Sequence, residues 1–170
     1  MAAPSAENLG NREDVEIAWA MKAYHHAETY FNLVSSVDST VLKLTKHDDE
    51  IFQHFKHDFP DMKIDIIDPE DLKSDKSKAK WRVFCNHFDG TVDNFNYGTL
   101  LRLNVSEDYS ESNSIFVTRI QFYAFEIARN RAGLNLAVRK GSPKEEKKET
   151  PAQPDNNAQS DNAKASEVAS

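Results

Sequence analysis

The amino-acid sequence predicts a mainly α-helical protein: one compact domain of about four main helices, at most a short two-stranded β ribbon, and a disordered C-terminal tail. Three observations support this fold class. The 170 residues suffice for one domain of ordinary size. All ten Phe, both Trp and all five Tyr lie between Trp19 and Phe125, which allows a single core. Within that span, apolar residues recur at the three- and four-residue spacing of amphipathic helices.

The distribution of apolar residues sets the predicted domain boundaries. We predict a flexible lead over residues 1–11, a globular helical domain over 12–139 and a disordered tail over 140–170. Beyond Lys140 the chain contains no aromatic residue, Leu or Ile. Such a segment buries too little apolar surface to offset the entropy that it would lose on ordering.

The first predicted helix follows an N-cap at Asn11 and carries apolar residues on two adjacent faces. The faces comprise Ile17, Met21, Tyr24, Phe31 and Val34 on one side and Trp19, Ala23, His26, Tyr30, Leu33 and Val37 on the other. A helix that is apolar on two faces is packed by more than one neighbour. We therefore expect this helix to lie centrally in the fold.

The second predicted helix begins at a capping box from Thr45 to Asp48, and Pro60 ends it. Its inward face consists of Ile51, Phe52, Phe55 and Phe59. Next, Asp68 and Pro69 have the pattern of an N-cap followed by Pro at the first helical position.

The third predicted helix is long. Its apolar series consists of Trp81, Phe84, Cys85, Phe88, Val92 and Phe95. Because this series continues through Gly90, we predict one helix that tolerates a cost of about 1 kcal/mol for the glycine. Gly98 then supplies its C-terminal stop.

A short ribbon and a last helix complete the predicted domain. Residues 99–105 partly alternate between apolar and polar, so they can pair as a strand with Ile115 and Val117. A second capping box, Thr118 to Gln121, opens the last helix, which ends at Gly133. Its predicted buried face consists of Ile120, Tyr123, Ala124 and Ile127.

Charge and composition argue against several classes of partner. The formal net charge is -7, and no Lys/Arg-rich stripe with interleaved aromatics is visible, so we expect no nucleic acid partner. A basic protein surface suits this charge better. Charged residues interrupt the longest apolar stretch, 115–128, so we expect no membrane span. A single cysteine and a lead without signal-peptide features favour the cytoplasm.

One cluster of residues has the chemistry of a metal site. His47, Glu50, His54 and His57 fall within one arc of the second predicted helix, and imidazole and carboxylate groups are zinc ligands. That arc lies opposite the apolar face of the helix, and no closed four-ligand set is apparent. We therefore predict no metal and no cofactor.

Catalytic signatures are absent from the sequence. Cys85 and His87 point about 200° apart on a helix, so we interpret Cys85 as an inert core thiol. His26 lies on an apolar stripe, where a neutral, hydrogen-bonded histidine is favoured over a catalytic base. The sequence contains no glycine-rich phosphate loop, and neither G-x-S-x-G nor H-E-x-x-H occurs. We predict that the protein is not an enzyme.

The arginines near the ribbon and the last helix allow two interpretations. Arg102 stands between leucines, and Arg119, Glu126 and Arg129 follow along the chain. An internal Arg–Glu network is one interpretation, favoured because Glu126 and Arg129 are three residues apart. The other is a set of planar donors that bind the carboxylates or carbonyls of a partner. For partner binding we select Asn96, Tyr97, Arg102, Arg119 and Arg129.

Five segments resemble the family of polysaccharide biosynthesis domain-containing protein 1. They are residues 18–21, 42–46, 80–82, 96–102 and 119–131, of which the last is the most specific. The resemblance extends over roughly residues 14–138, which is almost the whole predicted domain.

This resemblance implies a function. Eukaryotic members of the family are thought to be dedicated chaperones of newly made translation elongation factor 1-alpha. They are thought to shelter its GTP-binding domain and to release it as nucleotide binds, without ATP hydrolysis of their own. We accordingly expect a monomer that binds this nascent protein, with ribosome association left open. The alternatives are a polysaccharide- or sugar-modifying enzyme, which the family name suggests, and a ribosome-associated scaffold without folding activity.

Overall fold

A computed structural model describes residues 12–141 of the chain. Over this range the chain forms five α-helices and one antiparallel pair of strands. The elements are α1 (Arg12–Val34), α2 (Asp48–Asp58), α3 (Glu70–Lys73), α4 (Asp75–His87), β1 (Gly98–Arg102), β2 (Ser114–Thr118) and α5 (Arg119–Arg131), with 3₁₀ turns at Ser39–Val41 and Leu134–Val138. The prediction of a mainly helical fold with a two-stranded ribbon is confirmed.

Helix α5 lies at the centre of the domain and contacts α2, α4 and both strands. Its predicted capping box is present: the Thr118 hydroxyl accepts from the backbone N–H of Gln121, and the Gln121 side chain accepts from that of Thr118. Gly133 follows the helix with φ of 75°, a left-handed conformation that suits glycine. Nine of the 13 residues of α5 are buried, so the burial extends well beyond the predicted face.

The apolar core joins α5 to α2 and α4 through aromatic rings. Trp81 stacks on Phe59 with ring centroids 4.0 Å apart and packs against Phe84 at 5.3 Å. Phe55 contacts Phe125 of α5 at 5.2 Å. The indole N–H of Trp81 donates to the backbone carbonyl of the Asp71 residue, 3.0 Å away, so its polar atom is satisfied inside the core.

The capping box predicted at the start of α2 is only partly formed. The Asp48 carboxylate accepts from the backbone N–H groups of Leu44 and Thr45, and the bond from Thr45 is the one expected of the acidic residue in a capping box. The Thr45 hydroxyl, however, accepts from the backbone N–H of His47, and the helix begins at Asp48 itself. Because Asp48 is the first helical residue, its carboxylate orders the preceding loop as well as the helix start.

The prediction of one long third helix is wrong. The chain forms a short α3 and then α4, which Ser74 caps by accepting from the backbone N–H of Ser77. Helix α4 ends at His87, and Gly90 follows with φ of 78°. Val92 and Phe95 still pack on the core, from a turn. Their spacing therefore reflected core contacts and not helical continuation.

Gly98 has a different role from the predicted helical stop. It is the first residue of β1 and lies opposite Thr118. A Cβ atom at this position would clash with the Phe116 ring, which covers the glycine from the neighbouring strand. The small residue therefore makes room for an aromatic side chain across the ribbon.

The predicted central position of α1 is also wrong. Its second half packs on the domain through small and aromatic side chains, including Ala23, Ala27 and Tyr30. Every residue over 13–22 is exposed, and Trp19 is 67% exposed. The helix contacts β1 and the 3₁₀ turn at Leu134–Val138. The apolar residues that stay exposed, Ile17, Trp19 and Met21, come from both predicted faces, in the first half of the helix.

Parts of the predicted domain organisation lie outside the described residues. These are the lead, residues 1–11, and the predicted tail from residue 142 onward, so both remain predictions. None of the helices between residues 12 and 141 combines the length and apolar character needed to cross a bilayer.

Candidate functional site

A fully buried carboxylate, that of Glu126, organises the polar interior. Its Oε1 accepts from Nη1 of Arg129 at 2.9 Å. Its Oε2 accepts from the Tyr30 hydroxyl and from Nδ2 of Asn135, both at 2.8 Å. Nη2 of Arg102 lies 3.9 Å from the same oxygen. One negative charge therefore stands between two arginines inside the domain.

The two buried arginines also donate hydrogen bonds to backbone carbonyls. Arg129 donates from Nε to the carbonyl of Ile64 at 2.7 Å and from Nη2 to that of Leu103 at 3.2 Å. Arg102 donates from Nη1 to the carbonyl of Val105 at 2.8 Å. Because carbonyls of irregular segments need partners when they are buried, Arg129 fastens two such segments to α5. Arg102, the last residue of β1, holds the loop that follows its own strand.

The charges of this network are mutually stabilised. Burial raises the pKa of Glu126, but the charges of Arg129 and Arg102, with the hydrogen bonds to the carboxylate, outweigh it and leave the pKa below its usual value. Burial and the adjacent Glu126 charge raise the pKa of Tyr30 well above its usual value, so its hydroxyl stays a neutral donor.

Two of the five residues selected for partner binding are therefore misplaced. Arg102 and Arg129 are fully buried and bonded internally, so neither faces a partner, and the internal-network interpretation is correct for both. Asn96 and Tyr97 are exposed, and Arg119 is half-buried. The backbone N–H of Arg119 donates to the carbonyl of Tyr97 at 2.7 Å, which brings these residues together at the start of α5.

Exposed apolar side chains are concentrated on the first half of α1, and the sequence analysis assigned most of them to the core. We name these residues together the α1 apolar surface: Val15 and Trp19 on one side of the helix and Ile17, Met21 and Tyr24 on the opposite side, each at least 45% exposed. The signal was visible as two apolar faces on one helix. The pattern was misinterpreted because apolar periodicity identifies an apolar helix face but does not show whether the same chain or a partner buries that face.

His26 anchors α1 to the domain immediately after the α1 apolar surface. Its Nδ1 lies 2.6 Å from the Thr99 hydroxyl of β1, and its ring meets Phe122 of α5 edge-on at 5.1 Å. Burial and the positive charge of Arg119 lower the pKa of His26 to about 4, so the ring is neutral at physiological pH. A neutral, hydrogen-bonded histidine was predicted here. Its contacts attach the middle of α1 to the domain.

Cys85 is half-buried, and its thiol lies 3.8 Å from the Thr118 hydroxyl. Burial raises its pKa, which favours the unreactive thiol over the thiolate. The prediction of an inert thiol agrees with this environment.

The predicted arc of possible metal ligands on α2 separates into different groups. His57 lies against its neighbour Asp58, 2.9 Å away. His47 lies 3.6 Å from Glu50. His54 instead faces His87 of α4. Sequence reasoning did not group His54 with His87, because the two are 33 positions apart and meet only through helix packing.

A family model described as "PBDC1 protein" matches residues 15–140, which is most of the chain. The chain belongs to the PBDC1 family. It is 58% identical over 133 residues to Protein PBDC1 of Homo sapiens and 55% identical over 132 residues to that of Mus musculus, covering 78% of this chain in each case. The chain spans 57% of the human protein's length and 67% of the mouse protein's.

A solved structure supports the fold of this PBDC1 family member. It is a solution NMR structure of a protein from Saccharomyces cerevisiae, 42% identical in sequence, with a TM-score of 0.71. The match covers 81% of this chain and 97% of the yeast one. The Protein PBDC1 homolog of the same yeast is 43% identical over 139 residues, 79% of this chain and 95% of the yeast protein.

Proposed function

We propose that the protein is a client-specific binding chaperone that assists the folding of newly synthesised translation elongation factor 1-alpha in the cytoplasm. It acts by binding, as a monomer, without hydrolysing ATP and without enzymatic activity of its own. The family resemblance supplies the identity of the client. The observation that carries the binding function is the α1 apolar surface.

The composition of that surface is typical of a protein interface. Aromatic residues and Met are enriched at interfaces, and Trp in particular dominates binding energy where it is buried by a partner. Trp19, Met21 and Tyr24 supply all three residue types on one exposed helix. A helix that presents such side chains fits an apolar groove or an unfinished core in the client.

Acidic residues border the α1 apolar surface. Glu13, Asp14 and Glu16 are all exposed in its first two turns. Their charges favour a client surface that is basic around an apolar centre, and they speed the encounter with such a surface. This arrangement agrees with the net charge of -7.

The buried network weighs against the sugar-modifying enzyme. An enzyme needs a pocket that a substrate can reach, and a cleft lined by Arg102, Arg119 and Glu126 would favour that alternative. Arg102 and Glu126 are instead fully buried and bonded to protein groups, so a substrate cannot use them without unfolding the domain. Their role is structural.

The test is capture of elongation factor 1-alpha during its synthesis in a cell-free translation reaction. The immobilised full chain should retain the nascent factor, and the double variant Trp19→Ala/Met21→Ala should weaken capture roughly 30-fold, the equivalent of about 2 kcal/mol for a hot spot. The matched control is Val41→Ala/Val83→Ala, which removes exposed apolar side chains elsewhere. Equal capture by both double variants would contradict the assignment of the surface.

Sequencing of ribosome-protected messages bound to the protein separates the chaperone from a ribosome scaffold. A dedicated chaperone should enrich the message of elongation factor 1-alpha, whereas a scaffold should recover many messages. Cells that lack the protein should accumulate aggregated elongation factor 1-alpha. Normal solubility of that factor in such cells would overturn the proposal.

A further inference from the structure

Three side chains with metal-binding groups converge where α2 meets α4. Glu50 and His54 are one helical turn apart on α2, and His87 is the last residue of α4. One donor atom from each can be chosen so that all three lie within 4.8 Å of one another. Nε2 of His87 is 3.7 Å from Oε1 of Glu50.

These separations are close to those of a coordinated zinc ion. Zinc bonds of 2.0–2.1 Å in tetrahedral geometry place neighbouring ligand atoms about 3.3 Å apart. The separation of 3.7 Å between His87 and Glu50 already approaches this value. The remaining closure requires a side-chain rotation of Glu50, which is exposed and can adjust.

The imidazole rings are held in place before any ion arrives. The ring centroids of His54 and His87 are 3.9 Å apart. Both rings pack edge-on against Phe88, at 5.6 and 5.0 Å, and Phe88 is fully buried. Because the core fixes Phe88, it limits the positions of both rings and lowers the entropy that ligand binding would cost.

The surrounding charges also favour a cation. Asp48 and Glu50 place negative charge in the first turn of α2, where the neighbouring Asp49 pairs with Arg131. The site also adjoins the C-terminal end of α4, where the helix dipole attracts positive charge. His47, with its Nδ1 3.6 Å from the other carboxylate oxygen of Glu50, is a nearby side chain that could complete the shell, and water is the alternative fourth ligand.

We propose that Glu50, His54 and His87 bind one zinc ion that links the start of α2 to the end of α4. Two imidazoles and one carboxylate suit zinc and related borderline cations, whereas magnesium and calcium prefer oxygen ligands throughout. The ion ties together the two helices whose aromatic residues form the core beneath it. This site is separate from the α1 apolar surface and does not depend on the identity of the client.

Calorimetric titration of zinc chloride into the metal-stripped full chain tests the proposal. The wild type should bind zinc saturably with one ion per chain, and thermal unfolding should shift to higher temperature because zinc binds the folded state. His87→Ala should weaken binding at least about tenfold, since losing even an outer-shell partner costs 10–100-fold. Glu50→Gln keeps the side-chain shape and should weaken zinc binding similarly. This second variant keeps the test valid if His87→Ala fails to fold.

The matched control is His57→Ala, which removes an exposed histidine that also lies beside a carboxylate. This variant should bind zinc as the wild type does. Bound Co²⁺ should in addition give the visible absorption of a low-coordinate site in the wild type and not in Glu50→Gln. Absence of saturable one-to-one binding by the wild type, or equal weakening by His57→Ala and His87→Ala, would overturn the proposal and leave His54 and His87 as a stacked, metal-free pair.

Discussion

The first half of α1 and the whole of α5 distribute polarity in opposite ways. In α1, Trp19 and its apolar neighbours are exposed to solvent. In α5, Glu126 and Arg129 are fully buried beside Phe125 and Ile127. Both arrangements cost free energy in isolation, because exposed apolar surface and buried charge are each unfavourable.

The two helices differ in whether this free-energy cost is compensated within the chain. The charges of α5 are compensated within the chain, by Tyr30, Asn135 and loop carbonyls, so that helix is complete in the folded monomer. Nothing within residues 12–141 covers the exposed apolar side chains in the first half of α1. We infer that α5 serves the stability of the fold and that α1 serves recognition, and the predictions below separate these two roles.

The largest effect is expected from Glu126→Ala. It leaves Arg102 and Arg129 buried without their carboxylate, and breaking a buried ion pair in this way costs about 3–5 kcal/mol in the free energy of unfolding. Equilibrium denaturation measures the loss. The control, Asp49→Ala, removes an exposed bridge to Arg131 and should cost at most about 1 kcal/mol. Losses of equal size would show that α5 does not depend on internal compensation.

A smaller effect on the free energy of unfolding is expected when the pH is lowered. The pKa of Glu126 in the folded state lies below its ordinary value of 4.5. Its ionised form therefore adds stability that is present above that value and is lost as the pH falls through the folded-state pKa. The free energies of unfolding of wild type and Glu126→Gln should converge as the pH is lowered from neutral into this range. A constant difference would contradict the assignment of the ionised carboxylate.

The smallest effect on stability is expected from Trp19→Ala. Its side chain is exposed, so the free energy of unfolding should change by no more than about 0.5 kcal/mol, while client capture is weakened. Trp81→Ala, in the core, should cost about 3–5 kcal/mol by the same denaturation measurement. A large loss of stability in Trp19→Ala would place α1 with α5 as a structural element.

Local sequence signals predicted the fold where the decisive contacts are local. The capping box of Thr118 and Gln121, the stop at Gly133 and the pairing of β1 with β2 were all predicted. The helical continuation through Gly90 failed because apolar spacing does not distinguish a helix from a turn that returns to the same core.

The candidate sites depended on long-range contacts and were predicted less well. The partner-binding set included Arg102 and Arg129, whose burial follows from the packing of α5 against loops that are distant in sequence. Grouping His54 with His87 required knowing that α2 packs on α4. Residue spacing indicates neither the packing of α5 against these loops nor the packing of α2 against α4.

The sequence by itself determined that this chain folds into a helical domain around aromatic residues, where its last helix begins, and which family it resembles. Those properties follow from composition, capping and short-range periodicity. Only the tertiary structure decided which apolar face remains in water and which charges enter the interior. Burial is a property of how elements pack, and the same apolar stripe serves equally well for a core and for an interface until its neighbours are placed.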